Sequence, residues 1–440
     1  MQKYADYIPT QAAWLDELPS HWQCKKIGAL FSERKSKVSD KDYAPLSVAR
    51  IGVVPQLATA VKTDAGDNRK LVCAGDFVIN SRSDRKGSCG VAELDGSVSL
   101  INIVLTPRNS LSERYVHYLL KSQPFSEEYY RNGRGIVADL WTTRYSEMKS
   151  ILLPVPPCDE QDQIVRFLDW KVSNINKLIA VKQKQIDTLK EFMQAEIEEQ
   201  LYAYPSVSVV RLKQLGTFFK GGGFSRDNLV EDKDYPAILY GDIYTQYEYK
   251  TSIITHHIDG NAYSTSRKIS KGDIVMAGTG ETKDEIGKSI LYMGDQIVAT
   301  GGDVIVFHPN EGINEEYLLY QLYSQAALKH RYINGKGDII VHIYPTALGN
   351  TIITLPGEAD QNKVIARINE IINQVKKAIA VLTDEISVLQ EYRVRLVADT
   401  VTGKIDVRDI EIPEYEFVDE DTDNADKNLE QGAYEPHGEE

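Results

Sequence analysis

Cysteine is scarce, with four residues in 440, at positions 24, 73, 89 and 158. They are widely spaced, with no C-x-x-C pair and no neighbouring His, which argues against a zinc site or redox dithiol and leaves free, packed thiols. Long apolar runs are missing too. No stretch approaches the roughly 18 apolar residues of a transmembrane helix, and Met1–Asp6 has no basic region leading into an apolar one, so a cytoplasmic protein with no membrane contact is expected. Catalytic signatures are equally thin. There is no G-x-S-x-G, no H-E-x-x-H and no Asn/Asp-Pro-Pro-aromatic tetrapeptide of the amino-methyltransferases. The segment Gly280 to Ser289 ends like a phosphate-binding loop, but six residues separate Gly280 from Gly287 where the cradle has four. Glu281-Thr282-Lys283 after Asp273 resembles the acid-acid-Lys pattern of metal-dependent nucleases, a tripeptide common by chance, and His256-His257 has no flanking ligands at metal spacing. The expectation is a chain with no catalytic residue, no metal and no cofactor of its own.

Positive charge is in deficit, with 50 Lys and Arg against 64 Asp and Glu, for a net charge of -14. The deficit is local. From Asp409 to Glu440 there are thirteen acidic residues against the single Lys427, so this segment holds -12 of the total. Such a run is expected to be a solvated, disordered tail. Residues 1 to 408 are near neutral and can bind phosphates only by gathering Lys and Arg on one face.

A repeat at a distance of 200 residues organises the rest. Leu168, Val172, Ile175, Ile179, Lys182, Ile186, Leu189 and Met193 alternate three- and four-residue steps, and Ile368, Ile372, Val375, Ile379, Leu382, Ile386, Leu389 and Arg393 do the same. The words repeat as well, Ile179-Ala180-Val181 as Ile379-Ala380-Val381 and Leu189-Lys190-Glu191-Phe192 as Leu389-Gln390-Glu391-Tyr392. An apolar seam sustained over three heptads is what two helices need to bury faces against each other. The arm interface is therefore expected at Leu168, Val172, Ile175, Ile179, Ile186, Leu189, Ile368, Ile372, Val375, Ile379, Leu382, Ile386 and Leu389. Arms of roughly 35 residues rising about 1.5 Å each are on the order of 50 Å long, a ruler between two binding domains if they pair antiparallel.

The globular parts repeat more weakly. Lys25-Lys26-Ile27-Gly28-Ala29-Leu30-Phe31 has its counterpart in Lys213 to Phe219, and Ala74-Gly75-Asp76-Phe77-Val78-Ile79 in Lys271-Gly272-Asp273-Ile274-Val275-Met276, a Gly-Asp turn feeding an apolar strand. Helical pieces follow at Tyr115 and Tyr317, then Asn132-Gly133-Arg134-Gly135 and Asn334-Gly335-Lys336-Gly337, then apolar strands ending in Pro at 151–156 and 351–356. The pattern predicts an α+β fold with a mixed or antiparallel sheet in each half. It places two α/β domains at 1–157 and 202–357 and long helical arms at 158–201 and 358–401, paired as an antiparallel coiled coil in a pseudo-twofold repeat. Residues 402–440 form a C-terminal motif and the acidic tail.

Two loops in each domain combine cations, amides, hydroxyls and glycines, the chemistry of phosphate and base-edge contacts. In the first domain these are Asn80, Arg82, Arg85, Lys86, Arg134, Trp141 and Arg144. In the second they are Lys220, Thr279, Lys283, Lys336, His342 and Tyr344.

Trp14-Leu15-Asp16-Glu17-Leu18-Pro19-Ser20-His21-Trp22, Pro156-Pro157-Cys158-Asp159-Glu160-Gln161 and Val401-Thr402-Gly403-Lys404-Ile405-Asp406-Val407-Arg408 resemble motifs of the specificity (S) subunit of Type I restriction-modification systems, a likeness running from Tyr4 to Arg408. The resemblance implies two target-recognition domains, each reading one half of a bipartite asymmetric site in double-stranded DNA. It implies two methylation subunits docked on the arms, which bind S-adenosylmethionine and methylate adenine, and restriction subunits that join them and use ATP and Mg. This chain would be non-catalytic by itself. Leu355-Pro356-Gly357-Glu358 lacks the double proline of the first copy, and Asp16 stands where the family commonly has glycine. Two other readings compete: a non-DNA coiled-coil scaffold with two repeated protein- or glycan-binding domains, and a self-sufficient enzyme, which the missing motifs disfavour.

Overall fold

The computed structural model describes residues 2–57, 66–108, 111–135, 141–231 and 235–418. The chain divides into two compact units, Met1–Lys184 with Leu382–Glu440, and Gln185–Val381. Each long helix contributes to both: Cys158–Leu201 and Glu358–Val401 each run 44 residues. No helix among the described residues is long and apolar enough to cross a membrane.

In the first unit the central sheet has the order Cys89–Val91, Phe77–Asn80, Asn102–Pro107, Phe31–Glu33, all antiparallel. Phe77–Asn80 is buried throughout, because the pleat sends alternate side chains to two cores. Phe77 and Ile79 pack with Tyr115, Leu119 and Phe125, while Val78 packs with Leu46, Val72 and Val98 on the other side. The Gly-Asp turn that feeds this strand has Gly75 at φ 87°, a conformation open to glycine at little cost. The buried Asp76 fastens the turn: it accepts from the Cys73 N–H and takes Arg34 through both carboxylate oxygens at 2.7 and 3.0 Å. An end pair, Gln23–Lys26 with Leu152–Val155, closes the unit next to the first long helix.

The second unit repeats the plan with additions. Its main sheet has the order Gly216–Lys220, Val304–Pro309, Ile274–Ala277, Ser289–Tyr292, Lys250–Thr251, the last pair parallel. Ile274 and Met276 enter one core, Val275 and Ala277 the other. Gly272 has φ 92° and Asp273 accepts from the Ser270 N–H, as in the first unit. A further five-stranded sheet, Leu229–Val230, His256–Ile258, Pro236–Ile238, Val298–Thr300, Arg267–Ile269, contains one parallel pair and has no counterpart of the same size among the described residues of the first unit. The pair Ser208–Arg211 with Ile352–Leu355 closes this unit.

Within each unit the helix segments lie antiparallel. In the first, Leu168 and Ile175 are buried in one cluster with Leu396, Ile179 and Leu389 pack against it, Arg393 Nη1 donates to Asn176 Oδ1 at 2.7 Å, and Lys182 meets Glu385 at 2.7 Å. In the second, Ile197 and Leu201 pack with Val364, Ile368 and Ile372. Ile186 and Val375 are buried, and Val172, Leu189, Ile379, Leu382 and Ile386 half-buried. Two seam positions are thus polar by design of the contact: Lys182 and Arg393 are held by Glu385 and Asn176.

The expected free tail is corrected at its start. Ile410 and Ile412 pack on the first unit's core, Ser173 Oγ donates to Glu416 O and accepts from Val418 N–H, and Phe417 lies 5.8 Å from the Arg114 guanidinium. Charge composition missed this because the anchors are two isoleucines, one phenylalanine and backbone groups. The remainder, 419–440, lies outside the described residues. Just before it, Asp406 N–H donates to Gln2 O, and the Arg408 guanidinium grips Asp406 and lies 5.0 Å from the Tyr4 ring. Tyr4 and His21 meet opposite oxygens of the buried Glu160, each at 2.7 Å.

Candidate nucleic-acid interface

The loops singled out in the sequence meet on a small backbone ladder in each unit. In the first unit Arg82 pairs antiparallel with Thr142, and Thr142 pairs in turn with Arg134. Thr142 and Arg134 exchange both N–H···O bonds at 3.0 and 3.1 Å, while Thr143 N–H donates to Ser81 O and Ser83 N–H to Trp141 O, each at 2.9 Å. Residues directly opposite in such pairs present their side chains on one face. Arg82, Thr142 and Arg134 therefore stand in a row.

The second unit builds the same row from other residues. Thr279 pairs with His342, and His342 pairs with Lys336, whose N–H and C=O exchange bonds with it at 2.9 and 2.8 Å. Ile343 N–H donates to Gly278 O at 2.9 Å, the counterpart of Thr143 to Ser81. The frame is the same; Thr, His and Lys replace Arg, Thr and Arg.

Around the first row, Arg82, Arg85, Lys86, Arg134 and Arg144 are exposed and Trp141 is half-buried. Asn80 is buried, and its Oδ1 accepts from the Arg82 N–H at 3.1 Å, so it sets the strand rather than facing outward. The Ser83–Arg85 turn is braced by Tyr130, whose hydroxyl donates to Arg85 O at 3.0 Å, and by Arg50, whose Nε donates to Lys86 O at 3.3 Å. Arg144 opens a short helical turn capped by Glu147. The Ser146 hydroxyl, then backbone N–H groups and Arg134, hold the Glu147 carboxyl below the usual range.

Around the second row, Lys336 and Tyr344 are exposed, and Lys220 lies 5.9 Å from the Tyr344 ring centre, a cation over an aromatic face. Thr279 is buried and its hydroxyl contacts His342 Nδ1 at 2.9 Å, so it acts through the histidine. Lys283 does not join the row; it is half-buried in the adjoining loop. That loop is held from behind by Arg331, whose Nη1 donates to Gly287 O at 2.8 Å and to Ser289 Oγ at 3.3 Å. Arg331 is buried, no carboxylate among the described residues is its hydrogen-bond partner, and burial lowers its pKa. Its place in the first unit's fold is taken by Tyr129, also buried, with its hydroxyl on Thr143 O at 3.1 Å.

Sequence reasoning missed Thr142, Arg50 and Arg331. Thr142 lies between Trp141 and Arg144, which the sequence singles out, but its role depends on pairing with Arg134 across the chain. Arg331 reads in sequence as one more cation of Lys329-His330-Arg331, and only its burial separates it from them. No group of three or more His, Cys, Asp or Glu suited to a metal ion occurs among the described residues.

The two rows place cations, hydroxyls and an imidazole on matching backbone ladders. Residues 206–390 match the Type I restriction modification DNA specificity domain. The match agrees with the likeness to specificity subunits carried by the motifs, and it supports DNA sequence recognition as the work of the domain. Among solved structures, a chain described in work on complex assembly and conformational transition of the type I R-M system is 14% identical, with a TM-score of 0.62 over 88% of this chain and 99% of that one; it shares the fold. The HsdS subunit of Thermoanaerobacter tengcongensis is 16% identical, with a TM-score of 0.45 over 88% of this chain and 98% of its own. No curated protein matches the chain by sequence.

Proposed function

We propose that this chain is the DNA-specificity subunit of a Type I restriction-modification complex, in which each unit reads one half of a bipartite site in double-stranded DNA. The observation that carries the reading is the repeated row, Arg82-Thr142-Arg134 and Thr279-His342-Lys336, on equivalent backbone ladders. Identical frames with different side chains suit two different DNA words: Arg donates to guanine edges or phosphates, while His and Thr offer single donors and acceptors. The long helices set the separation of the half-sites and dock two methylation subunits. Those partners supply the chemistry, with S-adenosylmethionine on the methylation subunits and ATP and Mg on restriction subunits, and they extrude the target adenine to reach it.

Mapping modified adenines across a host genome with and without this chain tests the proposal. A split motif that disappears on deletion is the expected result; an unchanged methylation pattern refutes it. Removing one heptad from both long helices should shorten the preferred spacer, and an unaltered spacer would sink the ruler.

A further inference from the structure

Ile339 is 89% exposed, more than any other large apolar side chain among the described residues, and Ile340 beside it is 56% exposed. Both sit at the tip of the loop that joins the last two rungs of the second unit's row, between Lys336 and His342. The tip is built to hold them out. The rung bonds between Lys336 and His342 close its base, and Val341 is buried in the core beneath. Gly337 has φ 113°, and a Cβ there would fall 2.0 Å from Ile340 O, so only glycine permits the tight turn.

Water is a costly surrounding for two isoleucines on a constrained loop. The tip has no net charge, since Asp338 offsets Lys336, so it is not a phosphate clamp. Two side chains are also far too little for a protein interface, which needs about 800 Å² per partner. A small, rigid, apolar point beside hydrogen-bonding side chains suits the gap between two base pairs, where inserted Ile, Leu or Phe side chains unstack a step and bend the duplex.

We propose that the Ile339–Ile340 tip is an apolar wedge that enters a base step of duplex DNA next to the bases contacted from Lys336 and His342. The inference rests on the reading of this unit as a DNA reader. Pyrimidine–purine steps unstack most easily, so the step beside the contacted bases is of that kind. In the first unit the corresponding sequence, Ile136-Val137-Ala138-Asp139-Leu140, is also apolar but lies outside the described residues.

The test uses the full chain co-purified with its methylation subunits and duplexes of the mapped site carrying 2-aminopurine at successive positions. Apart from a rise at the target adenine that the methylation subunits extrude, which the wedge does not cause, fluorescence should rise at one further step of the half-site read by the second unit. The Ile339→Ala, Ile340→Ala double variant should lose that rise and bind about tenfold more weakly, while Ile339→Leu keeps both. Sequence-specific binding with no rise beyond the target adenine, or an equal further rise in the double variant, overturns the wedge alone. Binding no tighter than to a scrambled duplex removes the DNA reading itself. Failure of the double variant to co-purify with the methylation subunits makes the tip a protein contact and also overturns the wedge.

Discussion

Thr279 and His342 face each other across an antiparallel pair, with the threonine hydroxyl 2.9 Å from the imidazole Nδ1. The contact fixes the ring and leaves Nε2 as its remaining hydrogen-bonding atom. Thr279→Val keeps the shape and removes the hydroxyl. The expected outcome is an intact fold with an unchanged melting temperature, and a loss of about 0.5–1.5 kcal/mol in binding to one half-site only. Half-site titrations with altered bases would show it; equal affinity and discrimination would make the contact idle.

Arg134 and Lys336 occupy equivalent rungs in the two units. Replacing either with Ala should weaken DNA binding by about 1–3 kcal/mol if it contacts a base edge, and only the half-site of its own unit should lose discrimination. A phosphate contact instead weakens all sequences alike and lowers the salt slope by about 1. Binding isotherms at several salt concentrations separate the two outcomes, and no change in either would exclude the rung from the interface.

Ile175 and Glu385 both take part in helix pairing within the first unit, but they differ in worth. Ile175 is buried, and Ile175→Ala should cost about 2–5 kcal/mol. Glu385 is half exposed in its pair with Lys182, so Glu385→Gln should change stability by less than about 1 kcal/mol. Denaturant unfolding of the assembled complex would rank them, and the reverse order would contradict the packing described above.

Alkaline pH should destabilise the chain through its buried phenols. Burial holds the Tyr115 and Tyr129 hydroxyls well above their ordinary value of 10.0. Burial, opposed by the nearby Arg331, puts Tyr323 at about 12. The folded state keeps these protons while an unfolded chain releases them, so the stabilisation is complete below about pH 10 and is lost as pH climbs towards 12. Absorbance of phenolate at 295 nm should lag for these residues and then rise together with unfolding. Their independent titration near pH 10 in a folded chain would refute the burial.

The parts written in periodic patterns were the ones visible in sequence. Seam positions such as Leu168 and Ile368 follow from their spacing, and the Gly-Asp turns at 75–76 and 272–273 from local backbone preference. Rows assembled across the fold were only half visible: Arg82 and Lys336 stand out by residue type, while Thr142 has no signal until Arg134 pairs with it. Arg331 shows the converse, a cation whose type suggests the surface and whose burial makes it a brace. The anchoring of Glu416 and Val418 was hidden because Ser173 binds their backbone atoms, which carry no sequence signature.

The rungs of both rows are joined through main-chain N–H and C=O groups, so their alignment does not depend on which side chains they carry. The face that these side chains present is in this sense a veneer. Arg82, Arg134 and Lys336 are exposed, so exchanging their side chains leaves the main-chain bonds of the frame in place, whereas the buried Thr279 is held to a small side chain. A chain built this way can exchange the exposed side chains of its rows without relearning how to fold.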